Sequence, residues 1–464
     1  MVAPLPPTVP GHWLLGSGPA HRRGPLELYA GAAREFGNVV RFRGLPGMAW
    51  YLVSHPSGAE HVLKSHQKTY PKSKRFLQAL RPLLGHGLLV EEGESWLRNR
   101  RLMQPVFHRN RLAAFADAMA DAASEIADAW SEAARAGRSV DVAPSMLRAT
   151  LRIVGRTLFS TDLSAASARL GGVVRTTFEH ANRKVSFPFT IPDRIPTPRN
   201  RRFLAARATL DEIVYGLIAE RRRAVADEEA TGDADLLGML LDARDAETGE
   251  RMSERQVRDE ALTLMLAGHE TTAAALAWTW DLLARNAGAA HAMRTELDRV
   301  LAGRRPTADD VPRLPYTRAV VDETLRLFPP AWVIPRRAGA DETIDGRRLP
   351  NGSLVLVSPW VTQRREDVWS EPTRFRPERF LPGGEAATAP AFAYYPFGGG
   401  ARQCIGNHFA LMEAVIVLAT IAQRVELHAT GAPPVPDPTF TMRPRGPLPM
   451  RPTLRTHVTP LTPA

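Results

Sequence analysis

The 464-residue chain contains a single cysteine, Cys404, and this residue restricts the folds open to the chain more than any other feature. One cysteine cannot form an intrachain disulfide, and a zinc-thiolate or iron–sulfur centre needs several thiolates. The surrounding segment, FGGGARQCIGNH, combines glycines, an arginine and the thiol just before an apolar helical pattern. A hydrophobic core must therefore stabilise the fold, and the cysteine must be explained by its neighbours.

The composition is that of an ordinary globular protein, with 44% hydrophobic and 23% charged residues. No apolar run is long enough to span a bilayer, and the N-terminal MVAPLPPTVPGHW lacks the basic and apolar regions of a signal peptide. We therefore expect a cytoplasmic protein without a membrane anchor. The net charge is +11 with dispersed basic residues, which favours an acidic protein partner and no nucleic acid.

Helical periodicity dominates the chain after about Pro56. The segments NVVRF, AWYLV and SLVLV have strand composition, and TIDGRRL predicts a hairpin. The longest helical pattern, residues 253–286, begins at the predicted N-cap Ser253 and would be about 50 Å long. Further helices are predicted over residues 110–135, 143–159, 164–182, 200–228 and 405–424.

No linker or internal repeat divides the chain, and the acidic residues 227–235 read as a solvated loop. The sequence therefore predicts one large, mainly α domain with small β-sheet regions over residues 1–464. Residues 1–25 form a proline-rich lead-in to that domain.

Four roles are open to Cys404. It could be a small buried hydrophobe, as many free cysteines are, or a catalytic thiol with His408 as base, although no third orienting group is evident. Covalent haem attachment through C-x-x-C-H fails because the second cysteine is missing. The fourth role, axial thiolate to a non-covalent haem, also explains the glycines, which allow close backbone approach, and the arginine, which favours an ionised sulfur.

Five residues of this segment, Phe397, Gly400, Arg402, Cys404 and Gly406, match the pattern F-x-x-G-x-R-x-C-x-G. The segment thus resembles the haem-binding signature of the cytochrome P450 family. The resemblance implies the cytochrome P450 fold, with haem between the long central helix and the cysteine loop. It also implies Cys404 as the axial ligand of the haem iron and the other four residues as haem contacts.

Further segments resemble landmarks of the same family in the same order. Glu323 and Arg326 match its E-x-x-R pair, and Arg379 in PERF matches their third partner, which implies a structural role for all three. Gln363 stands where relatives usually carry histidine. We expect this glutamine to change local hydrogen bonding without abolishing haem binding.

The resemblance also supplies contacts to the haem propionates. Trp96 and Arg100 match a W-x-x-x-R pattern and lie one helical turn apart, so both can face a propionate. Arg336 and Arg402 match two more propionate arginines.

Polar residues interrupt the long apolar helix at AGHETT, residues 267–272. A zinc-protease H-E-x-x-H site is excluded because Ala273 occupies the second histidine position, and a solvated helix face is the simplest alternative. The segment resembles the family's oxygen-activation motif. By that resemblance Gly268 opens a local gap in the helix, Thr271 hydrogen-bonds dioxygen, and Glu270 relays protons from solvent.

Matching the family's substrate-contact regions to this chain gives an apolar set of residues. A terpenoid is the favoured substrate, with fatty-acyl or polyketide molecules as alternatives. The set is Phe76, Leu80, Leu84, Phe178, Phe187, Phe189, Leu266, Ala267, Trp332, Val333, Ile334 and Leu448.

The resemblance therefore implies a haem-thiolate monooxygenase of secondary metabolism that contains haem b, uses O2 and oxidises a hydrophobic small molecule. It covers nearly the whole chain and leaves no room for a fused reductase. We expect a monomer that receives electrons from NAD(P)H through a ferredoxin reductase and a ferredoxin. The acidic ferredoxin should dock near Arg98, Arg101 and Arg109.

Two other functions stay open within this resemblance. One is a relative that uses peroxide or performs a dehydration or ring coupling. The other is a catalytically silent haem-binding partner protein. The intact Cys404 and the intact pair Glu270 and Thr271 favour the dioxygen-dependent monooxygenase over both.

Overall fold

Helices dominate the fold, as the sequence periodicity predicts. The computed structural model describes residues 3–163, 167–186, 190–226, 235–245 and 247–455. The helices are α1 (Gly18–Arg23), α2 (Pro25–Phe36), α3 (Pro56–Glu60), α4 (Lys74–Leu84), α5 (Gly93–Met103), α6 (Arg109–Leu112), α7 (Ala116–Arg135), α8 (Val142–Phe159), α9 (Ser167–Ser186), α10 (Pro198–Ala226), α11 (Leu236–Asp242), α12 (Glu254–Arg285), α13 (Ala287–Leu301), α14 (Pro315–Leu327), α15 (Pro359–Thr362) and α16 (Asn407–Ala422).

The strands are short and fall into four small sheets. They are β1 (Val39–Arg43), β2 (Ala49–Val53), β3 (Val140–Asp141), β4 (Ile334–Arg337), β5 (Glu342–Ile344), β6 (Arg347–Leu349), β7 (Leu354–Val357), β8 (Val425–Ala429), β9 (Pro436–Pro438), β10 (Met442–Pro444) and β11 (Pro449–Leu454). The sheet orders are β1-β2-β7-β4, β3-β11-β8, β5-β6 and β9-β10.

The central helix α12 contains 32 residues and is about 48 Å long. The predicted N-cap is confirmed: the Ser253 hydroxyl accepts from the backbone N–H of Gln256, whose side chain accepts from the Ser253 N–H at 2.8 Å. Most of this helix is buried, and it packs against α8, α14 and α16. It therefore runs through the interior and can carry functional groups into it.

The largest sheet positions one wall of the site. β1 and β2 are antiparallel, β2 and β7 are parallel, and β4 lies antiparallel to β7 at the sheet edge. The N-terminal lead-in adds to the other edge, because the Arg41 N–H donates to Pro7 O at 2.8 Å. Strand β4 carries Arg336, whose backbone also forms an isolated β-bridge with Lys72.

The predicted hairpin is confirmed, and so are the predicted helices within the described residues, except that the segment 110–135 is divided into α6, a short 3-10 turn and α7. Residues 164–166 and 227–228 of two predicted helices lie outside the described part of the chain. β5 and β6 pair across Asp345 and Gly346, both of which have positive φ, as a tight two-residue turn requires. Residues 227–234, within the predicted acidic loop, lie outside the described part of the chain, and so do Phe187 and Phe189. Among the helices that the structure describes, none is long and apolar enough to cross a membrane.

Candidate active site

A cavity of about 1630 Å³ extends from the N-terminal turn and the first sheet into the space between α12 and the cysteine loop. Cys404 and Gly406 line one side, and Ala267, Gly268 and Thr271 of α12 line the other. Small-molecule pockets usually measure about 300–1,000 Å³. The cavity therefore has room for a large flat cofactor and a small molecule together.

The cysteine loop is fixed by backbone geometry that only glycine permits. The Cys404 N–H donates to Phe397 O at 3.0 Å, which closes the loop. Gly400 has a φ of +68°, and a Cβ added there would lie 2.1 Å from Leu63 O. The next residue, Ala401, donates its N–H to Gln67 Oε1 at 2.9 Å. The loop is thus held against the segment that follows α3. A Cβ at Gly406, by contrast, would make only an ordinary 3.7 Å contact with Phe107.

The accessible surface of Cys404 faces the cavity, so its surroundings are those of the interior. Burial raises the pKa of the Cys404 thiol, while the Gly406 N–H and the charge of Arg100 act in the opposite direction. The sequence predicted an ionised sulfur, but the chain alone favours the neutral thiol. A coordinating metal ion deprotonates a thiol outright, so metal binding would reverse this balance.

The three arginines predicted to face propionates all line this cavity, and so does Trp96. Arg100 donates to Gln403 O at 2.7 Å. The Arg402 guanidinium lies 4.2 Å from the centre of the Trp96 ring and donates to Glu91 O at 3.0 Å. These contacts orient the cations along one rim of the cavity.

Arg336 is the most enclosed of these cations. Burial, and then the positive charge of Arg402, lowers the pKa of Arg336 to about 10. Its one direct hydrogen bond among the contacts described goes to its neighbour, Pro335 O, at 3.1 Å. A partly buried guanidinium in the wall of a cavity fits an acidic group on a ligand.

Sequence reasoning missed a fourth basic residue, Lys72, which a bound carboxylate would favour in its charged form. Its side chain is buried and donates to the carbonyls of Leu88, Leu89 and Glu91, and its backbone forms an isolated β-bridge with Arg336. Burial, followed by the charges of Arg402 and Arg336, lowers the pKa of Lys72 to about 6. No local pattern indicates this residue, because its neighbours come from distant segments.

The residues therefore fit a haem. A thiol faces the cavity, and cations gather beside it with only partial compensation. Arg402 forms an ion pair with the Glu92 carboxylate at 3.4 Å, which compensates part of the positive charge at this rim. Two propionates would supply the missing negative charge.

The predicted structural trio is formed and fully buried. Arg326 makes two hydrogen bonds to Glu323, at 2.6 and 2.8 Å, and Arg379 approaches the same carboxylate at 3.3 Å. Gln363 completes this core: its amide donates to the Leu325 and Arg326 carbonyls at 3.0 Å and accepts from the Tyr395 N–H at 2.8 Å. The glutamine therefore has well-placed partners in the position of the usual histidine.

In the middle of α12, the Thr271 hydroxyl faces the cavity and donates to Ala267 O at 2.6 Å. The helix is continuous from Glu254 to Arg285, so the gap expected at Gly268 does not interrupt it. Glu270 is largely buried, and burial raises the pKa of its carboxyl, opposed by Arg443 and Thr441. The raised pKa favours the protonated form of this carboxyl.

The partners of Glu270 come from the hairpin of β9 and β10, which sequence reasoning did not connect with α12. Thr441 Oγ1 lies 3.4 Å from Glu270 Oε2, and Arg443 Nη1 lies 3.6 Å from Glu270 Oε1. Arg443 also pairs with Asp437 at 3.6 Å and is partly exposed. Thr441 lines the cavity, so these groups form a polar route from the surface to it.

Most of the predicted apolar wall lines the cavity. Phe76, Leu84, Phe178, Leu266, Ala267, Trp332, Val333 and Ile334 do so.

Leu80 and Leu448 do not, and for these two the prediction is wrong. Leu80 is enclosed in the core. Leu448 lies beside the N-terminus of α8, where its carbonyl accepts from the Val142 N–H at 3.1 Å. Phe440 takes the expected place of Leu448, because its ring stacks on Phe178 at 4.8 Å and on Phe76 at 6.1 Å.

The arginines expected to receive a ferredoxin are partly neutralised. Arg98 lies 3.2 Å from Glu250, and Arg101 lies 3.1 Å from Asp245. The side chain of Arg109 is outside the described part of the structure. The positive potential at this face is therefore weaker than the sequence suggests.

Comparison with known proteins identifies the family. The profile described as Cytochrome P450 matches residues 6–449. The chain belongs to the cytochrome P450 family. This P450 is 38% identical to cyclooctatin synthase of Streptomyces melanosporofaciens, over 97% of this chain and 95% of the relative.

Two further relatives carry names that state a reaction. Cyclooctat-9-en-7-ol 5-monooxygenase of the same organism is 37% identical over 96% of this chain and 94% of its own length. Pentalenene oxygenase of Streptomyces avermitilis is 34% identical, over 90% and 89%. The protein is accordingly a cytochrome P450 monooxygenase, a haem-thiolate enzyme that uses O2, a small-molecule substrate and redox partner proteins.

Proposed function

We propose that this P450 inserts one oxygen atom from O2 into a terpenoid in secondary metabolism. The observation that carries the proposal is the apolar wall, in which the ring of Phe440 stacks on those of Phe76 and Phe178 in the cavity that the α12 motif also lines. Such a surface suits a hydrocarbon or a sparsely oxygenated molecule. The substrates in the names of two relatives, cyclooctat-9-en-7-ol and pentalenene, belong to the terpenoid class.

The cofactor is proposed to be haem b, with Cys404 as its axial ligand. Arg100, Arg336, Arg402 and Lys72 would hold the propionates, and Trp96 would position Arg402 by stacking. Gly400 and Phe397 shape the loop that presents the thiol, and Gly406 begins the helix behind it. When bound, the haem supplies the activation of O2 and the oxidation of an unreactive C–H bond.

The chain's own groups would supply protons. Burial favours the protonated form of the Glu270 carboxyl, which could pass a proton on, and the Thr441 hydroxyl links this carboxyl to the cavity. The Thr271 hydroxyl is positioned by Ala267 O and can receive and donate a proton at the cavity face. Glu323, Arg326 and Arg379 keep the cysteine side rigid and take no part in the chemistry.

We further propose a monomeric, cytoplasmic enzyme whose P450 domain spans residues 1–464. NAD(P)H would reduce it through a separate ferredoxin reductase and ferredoxin. The single cysteine supports separate redox proteins, since an internal iron–sulfur centre would need several. Because Arg98 and Arg101 are paired internally, ferredoxin docking should depend only moderately on salt.

The first experiment is the carbon monoxide difference spectrum of the reduced protein, followed by a ligand panel. The Soret position typical of a thiolate ligand, lost in Cys404→Ala, would support the haem assignment. Terpenoid hydrocarbons and alcohols should then shift the haem spin state and give products heavier by one oxygen atom, more strongly than fatty acids or polyketides. A thiolate spectrum with a preference for fatty acids would refute the terpenoid assignment alone. A haem spectrum unchanged in Cys404→Ala would refute the ligand itself.

A further inference from the structure

Two adjacent surface turns expose large apolar side chains. One turn carries Trp13, Leu14 and Leu15, and the other carries Leu45 and Met48; we call these five residues the mouth patch. Trp13 is 79% exposed, the largest value among the described large hydrophobic residues, and Leu14, Leu15 and Met48 are each about 40% exposed. Single exposed apolar residues are common on proteins, but a contiguous group of them usually marks an interaction site.

The mouth patch belongs to well-formed structure. His12 and Gly16 exchange two backbone hydrogen bonds, at 2.8 and 2.9 Å, which close the first turn. The Ser17 N–H donates to Arg43 O at 2.7 Å, and Arg43 Nη2 donates to Trp13 O at 3.4 Å. Both turns are thus tied to the end of β1, so the fold itself holds the apolar side chains in the solvent.

The mouth patch is continuous with the cavity of the active site. Leu15, Leu45 and Met48 line the same cavity as Cys404, together with Trp50 and further residues of the first sheet. An apolar molecule that reaches this patch could therefore enter the site without crossing bulk water.

The charge around the mouth patch is mostly positive, although the exposed Glu27 lies beside Gly24, next to Arg23. Arg22, Arg23 and Arg43 are exposed beside it. Residues 3–26 and 36–59, which contain both turns and their flanks, include no aspartate or glutamate. Tryptophan and leucine with a basic rim are typical of surfaces that bind at the membrane interface, where basic residues attract anionic headgroups.

We propose that the mouth patch docks this P450 onto the surface of an anionic lipid bilayer, with the opening of the cavity facing the lipid. Trp13 and Leu14 enter the headgroup region, and the arginines contact lipid phosphates. The inference goes beyond the proposed function and does not depend on which substrate the enzyme oxidises. It requires no membrane-spanning segment.

The test is sedimentation of the full-length, haem-loaded protein with phosphatidylcholine vesicles, with and without phosphatidylglycerol. Wild-type protein should bind the anionic vesicles, and Trp13→Ser combined with Leu14→Ser should lower the partition coefficient about tenfold or more. Arg22→Gln combined with Arg23→Gln should lower it several-fold, and more at low salt than at high salt. The matched control is Leu147→Ser, an exposed apolar residue on α8, a helix that packs against α7, α11 and α12, and it should bind as the wild type does.

Brominated lipids provide a second readout, because they should quench wild-type fluorescence more than that of the Trp13→Ser variant. The thiolate spectrum should be the same in every variant, which separates this test from that of the haem assignment. Three outcomes would overturn the proposal. They are no binding to anionic vesicles, an equal loss in Leu147→Ser, or self-association of the wild type that Trp13→Ser abolishes, which would assign the patch to a second copy of the chain.

Discussion

The geometry of the cysteine loop makes a quantitative prediction for Gly400→Ala. Gly400 has a φ of +68°, and an alanine in this left-handed region costs about 1–2 kcal/mol. The new Cβ would also lie 2.1 Å from Leu63 O, so two backbone segments must separate, at a cost of about 1–3 kcal/mol. We expect the free energy of unfolding to fall by about 2–5 kcal/mol.

Two other glycines of the same loop provide controls. Gly398 has a φ of +69°, but its Cβ would meet only Ile334 at an ordinary 3.7 Å, so Gly398→Ala should cost the strain alone, about 1–2 kcal/mol. Gly406 has an unstrained φ of −90°, and its Cβ would lie 3.7 Å from Phe107. Gly406→Ala should therefore change stability by less than about 1 kcal/mol.

Urea unfolding of the three haem-loaded variants, followed by circular dichroism, measures the series, and the carbon monoxide spectrum reports the thiolate ligand in each. The order of destabilisation should be Gly400→Ala, then Gly398→Ala, then Gly406→Ala. Equal losses at Gly400 and Gly398 would show that the contact with Leu63 O adds nothing. A loss at Gly406 as large as that at Gly400 would assign the effect to crowding of the cofactor.

Three further predictions follow from the buried polar groups. Gln363→Leu should destabilise the protein by about 3 kcal/mol in urea unfolding, because it leaves two carbonyls and the Tyr395 N–H without partners, whereas Gln363→Asn should cost less. Burial raises the pKa of Glu413 well above its ordinary value. Above about pH 4.3 the Glu413 carboxyl therefore ionises in the unfolded protein but stays protonated in the folded protein. The free energy of unfolding of the wild type consequently declines as the pH rises from there towards the folded-state pKa. Glu413→Gln should therefore gain stability over the wild type between about pH 5 and pH 8, and a constant difference across urea titrations would contradict the pKa direction. Arg443→Leu removes the cation that lowers the pKa of Glu270, so the pH at which product formation uncouples from electron use should move upward, and an unmoved profile would remove Arg443 from this role.

Local patterns were enough to predict one half of the site. The cysteine loop, the motif in α12 and the pair Glu323 and Arg326 each lie within a short segment, where spacing alone brings the side chains together. The helix N-cap at Ser253 and the turn at Asp345 follow from local rules of the same kind.

The other half depends on contacts between distant segments. Lys72 meets Arg336 across more than half of the chain, and Phe440 reaches Phe76 only after the fold has formed. Leu448 was predicted in place of Phe440 for a related reason. Phe440 lies in the turn of the β9–β10 hairpin, which is rich in proline, so no alternating pattern shows which of its residues point inward.

The two sides of the cavity are therefore built differently. On the cysteine side, the backbone at Gly398 and Gly400 and the buried trio fix the loop, and these glycines and ion-pair partners have little freedom to change. On the opposite side, adjacent residues of one hairpin loop serve both functions: Phe440 packs in the apolar wall, and Thr441 contacts Glu270. A change in this loop that enlarges or reshapes the wall must also move the Thr441 hydroxyl. Substrate fit and proton supply therefore both depend on this loop, whereas the cysteine side is held by other contacts.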